Sequence, residues 1–380
     1  MSSRKYLLVL LIVVAVILHG SLYPYAFHNP PAGPGPIRTL LDSWADPPSS
    51  YGDLIANLLL YMPFGFFGAL ALSGGGVKPI AIISMAGLCL CTGIELAQYY
   101  DAGRVTNMSD VYLNTLGSAL GGSGAVLVGA RARRLRGLRA SVDPVPLLLL
   151  AAMLGYHLFP YVPTIDLHKY WRALQPLLLS PRILPDDFLR YTALWLTSSC
   201  LLESIAGFGW SCVLVPLFMA GVFAARVMID GLVVTPSETG GAALALALWL
   251  LLGRYHRFAA IATAALLCAA IVLARLQPFD FQSLPRPFGW LPFRSFLAGS
   301  LYVNTISLLE KAFYYGSLVW LIAEAGLPLL LSALLVGTIL FATSIAETYL
   351  PGRSAEITDA LIVLIMAVLI AAMRRPRATR

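Results

Sequence analysis

Long apolar runs follow one another along the whole chain, broken only by short stretches of Pro, Gly and charge, and nothing else limits its possible folds so strongly. In lipid every backbone N–H and C=O must be satisfied inside the structure, so apolar runs of about 20 residues form helices. Of 380 residues, 58% are hydrophobic and 12% charged, which excludes an ordinary water-soluble domain. Hydropathy places helices near 5–23, 53–72, 78–99, 110–130, 144–160, 188–207, 210–230, 238–253, 256–276, 299–323, 326–349 and 357–373. The expected fold class is all-α, a polytopic transmembrane bundle of about twelve spans. The first run follows Arg4 and Lys5 and ends at Leu22-Tyr23-Pro24-Tyr25 without a small-residue cleavage site, so it is expected to be a retained anchor.

The net charge of +7 does not point to nucleic acid, because the basic residues stand at the ends of apolar runs and not along one polar face. Arg4, Lys5, Lys78, the Arg131 to Arg139 cluster, Arg254, Arg257 and the C-terminal arginines all fall on one set of alternate connections. Under the positive-inside rule both termini are cytoplasmic and the loops near 24–52 and 161–187 face outward. The five cysteines lie within apolar runs and the five histidines are scattered, so no metal site and no cofactor is expected.

The chain also repeats itself. Leu22-Tyr23-Pro24-Tyr25, Leu158-Phe159-Pro160-Tyr161 and Leu276-Gln277-Pro278-Phe279 each end an apolar run, and each is followed by a polar loop, a pair of spans, a polar turn and one more span. Three parallel four-helix repeats are expected, 1–140, 141–253 and 254–380. Glu95, Gln98, Arg104, Asp110 and Asn114 in the first repeat align with Ser344, Glu347, Arg353, Asp359 and Val363 in the third. In the second, Phe223, Arg226, Leu232 and Glu238 take the first four places, so the pattern there is lost or altered.

Asp53, Asn57, Pro63 and Gly65, then Glu95 and Gln98, Arg104 six residues before Asp110, and Asn114 with Gly117 resemble the VanZ-like family of bacterial membrane proteins across about 50–122. Residues 276–372 resemble it through Leu350-Pro351-Gly352-Arg353 and Asp359, and the middle of the chain only weakly. The resemblance implies a helical protein of the cell envelope, in the bacterial cytoplasmic (inner) membrane, with a link to glycopeptide or lipoglycopeptide resistance of the teicoplanin type. It implies no settled mechanism.

On the expected topology Asp53, Asn57, Glu95, Gln98, Asp110 and Asn114 stand at one depth near the outer face, and the pairs 53/57, 95/98 and 110/114 each share a helix face. Arg104 in the connecting turn is expected to meet Glu95 and Asp110; in the third repeat Glu347, Arg353 and Asp359 stand at the places of Gln98, Arg104 and Asp110. A structural clasp, a ligand site and a catalytic site all remain open from these residues. The first functional expectation is an anionic amphipathic or lipid-linked ligand held by Arg104, with a membrane lipid or lipid-linked glycan as partner. The alternatives are a membrane-embedded transferase or hydrolase acting on a lipid-linked sugar, with Glu95 or Asp110 as base, and a transporter or a scaffold for other envelope proteins. Glu203, and Glu310 beside Lys311, are expected inside spans, and Arg226 is spaced to pair with Asp230.

Overall fold

A computed structural model describes residues 3–29, 33–46, 51–72, 76–135, 143–179, 181–253, 255–298 and 301–374. The regular elements among them are helical, and the chain divides into two compact units, Met1–Ser141 and Val142–Arg380.

The first unit contains α1 (Ser3–Leu22), α2 (Pro36–Asp42), α3 (Tyr51–Ala71), α4 (Val77–Gln98) and α5 (Met108–Leu135). The second contains α6 (Pro144–His157), α7 (Leu167–Leu178), α8 (Pro185–Ala206), α9 (Phe208–Met228), α10 (Pro236–Leu252), α11 (His256–Leu276), α12 (Arg294–Ala298), α13 (Leu301–Glu324), α14 (Leu329–Ala346) and α15 (Thr358–Met373). Every apolar segment expected to be a helix contains one. Seven of the helices, α1, α4, α5, α9, α11, α13 and α14, are long and apolar enough to cross a membrane. Helices α6, α10 and α15 and the Asn57–Ala71 part of α3 are apolar but shorter, and α8 has the length but carries Asp186, Asp187, Arg190 and Glu203.

Three helices were not expected, α2, α7 and α12, each in a connection read as loop. In α7 the reason is visible: the Asp166 carboxylate accepts the His168 N–H at its start, and its inner face buries Lys169 and Ala173. Lys169 Nζ donates to the Arg226 and Val227 carbonyls, 2.9 and 2.6 Å, a cation set on the C-terminal end of α9.

In the first unit α5 packs on α3 and α4, and α1 covers α3. Backbone touches backbone along α3 and α5 because glycine stands at the crossing: a Cβ at Gly65 would lie 2.0 Å from the Ser118 carbonyl oxygen, one at Gly117 2.3 Å from that of Leu58, and one at Gly121 2.0 Å from that of Met62. Such small-residue contacts hold helices together in lipid, where apolar side chains gain nothing by leaving it. Gly65 and Gly117 therefore serve packing. The core around them is Ile17, Tyr61, Phe64, Ile83, Cys91, Ile94 and Val111. In the second unit α8 packs on α10 and α11, and α13 on α6, α11 and α15, around Leu149, Met153, Trp195, Trp249, Leu267 and Phe313.

The turns that end α1, α6 and α11 share one backbone course. The N–H groups of Tyr25, Tyr161 and Phe279 donate to the carbonyls of Leu22, Leu158 and Leu276, and the three residues have φ of 63°, 61° and 64°. The strands of chain that follow are then tied to a distant turn at matching places. His28 N–H donates to the Tyr100 carbonyl, Thr164 to Met228, and Gln282 to Tyr349. A second bond, Ala102 to Ala26 and Asp230 to Val162, has no counterpart at Pro351, which lacks the N–H.

A candidate site of buried charge and amide groups

In the first unit the turn between α4 and α5 brings the polar residues together. Asn107 caps α5, its Oδ1 accepting the Ser109 N–H at 2.9 Å, while Glu95 Oε2 accepts the N–H of Asn107 itself, also at 2.9 Å. Thr106 Oγ1 donates to the Glu95 carbonyl, and Ser43, beyond α2, accepts the Met108 N–H. Asp110 stands in the first turn of α5, where the helix dipole favours a carboxylate, and accepts Asn57 Nδ2 at 2.7 Å. Gln98 Nε2 donates to the Ser21 carbonyl at 2.7 Å.

Arg104 corrects the sequence expectation. It forms no ion pair with Glu95 or Asp110; Nε donates to the Tyr23 carbonyl and Nη2 to that of Gly20, both at 2.8 Å. The end of a helix leaves carbonyls without intrahelical partners, and a guanidinium in reach of two of them satisfies both and complements the dipole. Arg353 does the same for α11, donating from Nε and Nη2 to Gln277 and from Nη2 to Ala274. In each case the acceptors lie one and four residues before the turn proline.

Among the buried side-chain atoms of the first unit without a hydrogen-bond partner among the described residues are Tyr61 Oη and Asn114 Oδ1. Tyr61 is fully buried and its hydroxyl is unpartnered, although Cys91, Glu95 and Asp110 are within electrostatic reach. Asn114 is buried with Oδ1 unpartnered, while its carbonyl takes Ser118 Oγ. Each such group costs about 1–3 kcal/mol. No cationic side chain lies within ion-pair distance of Glu95 among the described residues. The Asp53 side chain falls outside the described residues.

Two of the charge clusters among the described residues of the second unit bear on the comparison, and in both the acids meet cationic side chains. Near the end of α11, Arg275 chelates Glu347, with Nε to Oε1 at 3.0 Å and Nη2 to Oε2 at 2.7 Å. Its Nη1 meets Asp359 Oδ2 at 2.6 Å and donates to the Tyr315 hydroxyl at 3.3 Å, and Nη2 also donates to Ser344 Oγ at 2.8 Å. Lys311 Nζ completes Asp359 at 2.6 Å. Glu347 and Asp359 thus meet as the alignment expected, but around Arg275 and not Arg353. The other cluster is centred on Glu238, fully buried, with His157 Nε2 at 2.7 Å and Arg226 Nε at 3.2 Å. Arg226 also donates to the carbonyls of His157 and Val233. Its expected pairing with Asp230 is therefore replaced by Glu238. Glu203, expected well inside a span, stands in the last turn of α8 and accepts Trp249 Nε1 at 2.6 Å, with His256 Nδ1 at 3.0 Å.

His157, Arg275 and Tyr61 were not among the sequence candidates; Lys311 was expected inside a span, but without Asp359 as its partner. A signal for two of them was present: His157 and Arg275 each stand three residues before a turn proline, inside an apolar helix, where the first unit has Ser21.

Residues 6–129 match the family model of VanZ/LLP1. The match covers α1 to α5 up to Gly129, and so the whole polar cluster of the first unit. No curated protein and no solved structure matches the chain.

Proposed function

We propose that this VanZ-like segment is the ligand-binding part of a multi-pass protein of the bacterial cytoplasmic membrane. In this reading three parallel four-helix repeats, both termini cytoplasmic, carry the polar cluster of the first unit near the outer face. There it takes the head group of an amphipathic or lipid-linked ligand from the outer leaflet. The cell-envelope setting and the link to lipoglycopeptide susceptibility follow from the family resemblance. The repeats are supported by the matching turn bonds at Tyr25, Tyr161 and Phe279 and by the matching carbonyl contacts of Arg104 and Arg353.

The observation that carries the ligand reading is the unpartnered hydroxyl of Tyr61, within electrostatic reach of Glu95, together with the unpartnered Asn114 Oδ1 one helical turn beyond Asp110. A buried donor or acceptor without a partner lowers stability, and a head group that supplies the missing bond recovers that loss on binding. Asn57 and Asp110 are only half-buried, so the cluster is reachable from its edge. Arg104 serves α1, which moves the recognition task from the guanidinium to the acid, amide and phenol groups.

Native mass spectrometry of the full chain with co-purified lipid tests this. Tyr61→Phe and Asn114→Leu remove the orphaned groups, so thermal stability should hold or rise while lipid adducts fall. Unchanged adducts in both variants would defeat the proposal. Cysteine labelling tests the topology: position 104 should react with impermeant reagents applied from outside.

A further inference from the structure

The second unit places a guanidinium of its own chain among residues whose counterparts in the first unit include the unpartnered Tyr61 hydroxyl. Counting from Arg104 and Arg353, which make the same carbonyl contacts, Glu95 corresponds to Ser344, Gln98 to Glu347 and Asp110 to Asp359. Asn57 and Lys311 correspond because each donates to that aspartate, at 2.7 and 2.6 Å, and four residues further along their helices stand Tyr61 and Tyr315. Ser344, Glu347, Asp359 and Tyr315 are the residues that surround the Arg275 guanidinium. Arg275 stands three residues before its turn proline, and the residue in that place in the first unit is Ser21, which carries no charge.

Resting on the ligand-site reading above, we infer that the group recognised by Glu95, Gln98, Asp110 and Tyr61 is an organic cation, a guanidinium or primary ammonium carried by an amphipath of the bilayer. The charge balance agrees with the geometry. The first unit exchanges the Ser344 hydroxyl for the Glu95 carboxylate, which keeps acid in the cluster, and no cationic side chain lies within ion-pair distance of Glu95 among the described residues. Tyr61 Oη has no partner, whereas Tyr315 Oη accepts from Arg275. Asn114 Oδ1, also without a partner, adds an acceptor one helical turn beyond Asp110. A planar or tetrahedral cation with several N–H donors satisfies these acceptors together, as a neutral head group with one donor does not. A buried cation is held only where its charge and donors are both met, and the second unit provides that arrangement around Arg275.

The test uses the full chain in nanodiscs of phosphatidylcholine and phosphatidylglycerol, titrated with dodecylguanidine, dodecylamine, dodecyl phosphate and a dodecyl glycoside. The expected result is saturable binding of the two cations, tighter by about tenfold or more than that of the phosphate or the glycoside. Ser21→Arg puts a guanidinium at the place of Arg275 and should abolish cation binding with the thermal transition retained. Glu95→Gln should weaken cation binding by about tenfold. As a converse, Arg275→Ser should lose thermal stability and regain part of it in millimolar methylguanidinium. Because the wild-type ranking needs no variant, a misfolded substitution leaves the test intact. If the glycoside or phosphate binds as tightly as the cations and is lost with Tyr61→Phe, the cation inference falls and the ligand site stands. If no amphipath binds, both fall.

Discussion

Asp110 and Asp359 stand in the same local setting, in the first turn of a helix and six residues after an arginine that holds the end of another helix, yet their surroundings differ. Asp359 meets Arg275 and Lys311, while Asp110 takes the amide of Asn57. Glu238, in the middle of the chain, meets Arg226 and His157, so its cation arrives from the helix that supplies Gln98 in the first unit and Glu347 in the last cluster. The acid keeps its place and the cation changes helix. Buried carboxylates at this level are thus tolerant of where neutralisation comes from, provided that it comes. The first unit supplies amides and a phenol in those places.

The sharpest way to break this comparison is to remove the cations of the second unit. Arg275→Ala should cost about 3–5 kcal/mol, because Glu347 is left without its partner in a buried site, and should be read as a lower thermal transition in detergent. Ser21→Ala, at the corresponding place, should stay within about 0.5 kcal/mol. Arg226→Met alone should cost about as much as Arg275→Ala, and Glu238→Leu in the same chain should recover most of the loss, since a buried pair replaced by apolar groups is often near neutral. Failure of that recovery would show that the middle cluster does more than balance charge.

A packing change comes next in size. Gly121 stands eleven residues after Asp110, as Trp249 does after Glu238. Gly121→Trp should destabilise the first unit by about 3 kcal/mol or more, because α3 and α5 touch through backbone there and cannot part without losing the polar cluster. Arg104→Gln and Arg353→Gln should each cost about 1–2 kcal/mol through lost bonds to helix-end carbonyls, with equal effects in the two units. Unequal effects would weaken the positional correspondence on which the cation inference depends.

Much of this was legible in the chain. Apolar runs located the long helices, Asn107 and Asp110 marked the start of α5, and the six-residue interval from arginine to aspartate marked matching positions in the first and last clusters. Arg104 was misread because its neighbours in sequence are acids, while the carbonyls it holds belong to α1, more than eighty residues earlier. The pairing of Arg226 with Asp230 failed for a related reason: Ile229 already leaves the helix, so the four-residue spacing no longer sets the two side chains on one face. Helices α2, α7 and α12 lay within polar loops where apolar periodicity is weak, and only contacts such as that of Lys169 with the end of α9 hold such segments in place.

The chain alone determined where the long apolar helices run and which turns share a pattern, because hydropathy, proline and capping residues act over a few positions. Which cation meets which carboxylate was decided by tertiary structure. An ion pair between helices depends on side-chain length and on the direction in which each packed helix presents it. The guanidinium that binds the acids of one cluster and the serine at the corresponding place beside the other differ at a single position, whose meaning appears only when the acids from two other helices are placed around it.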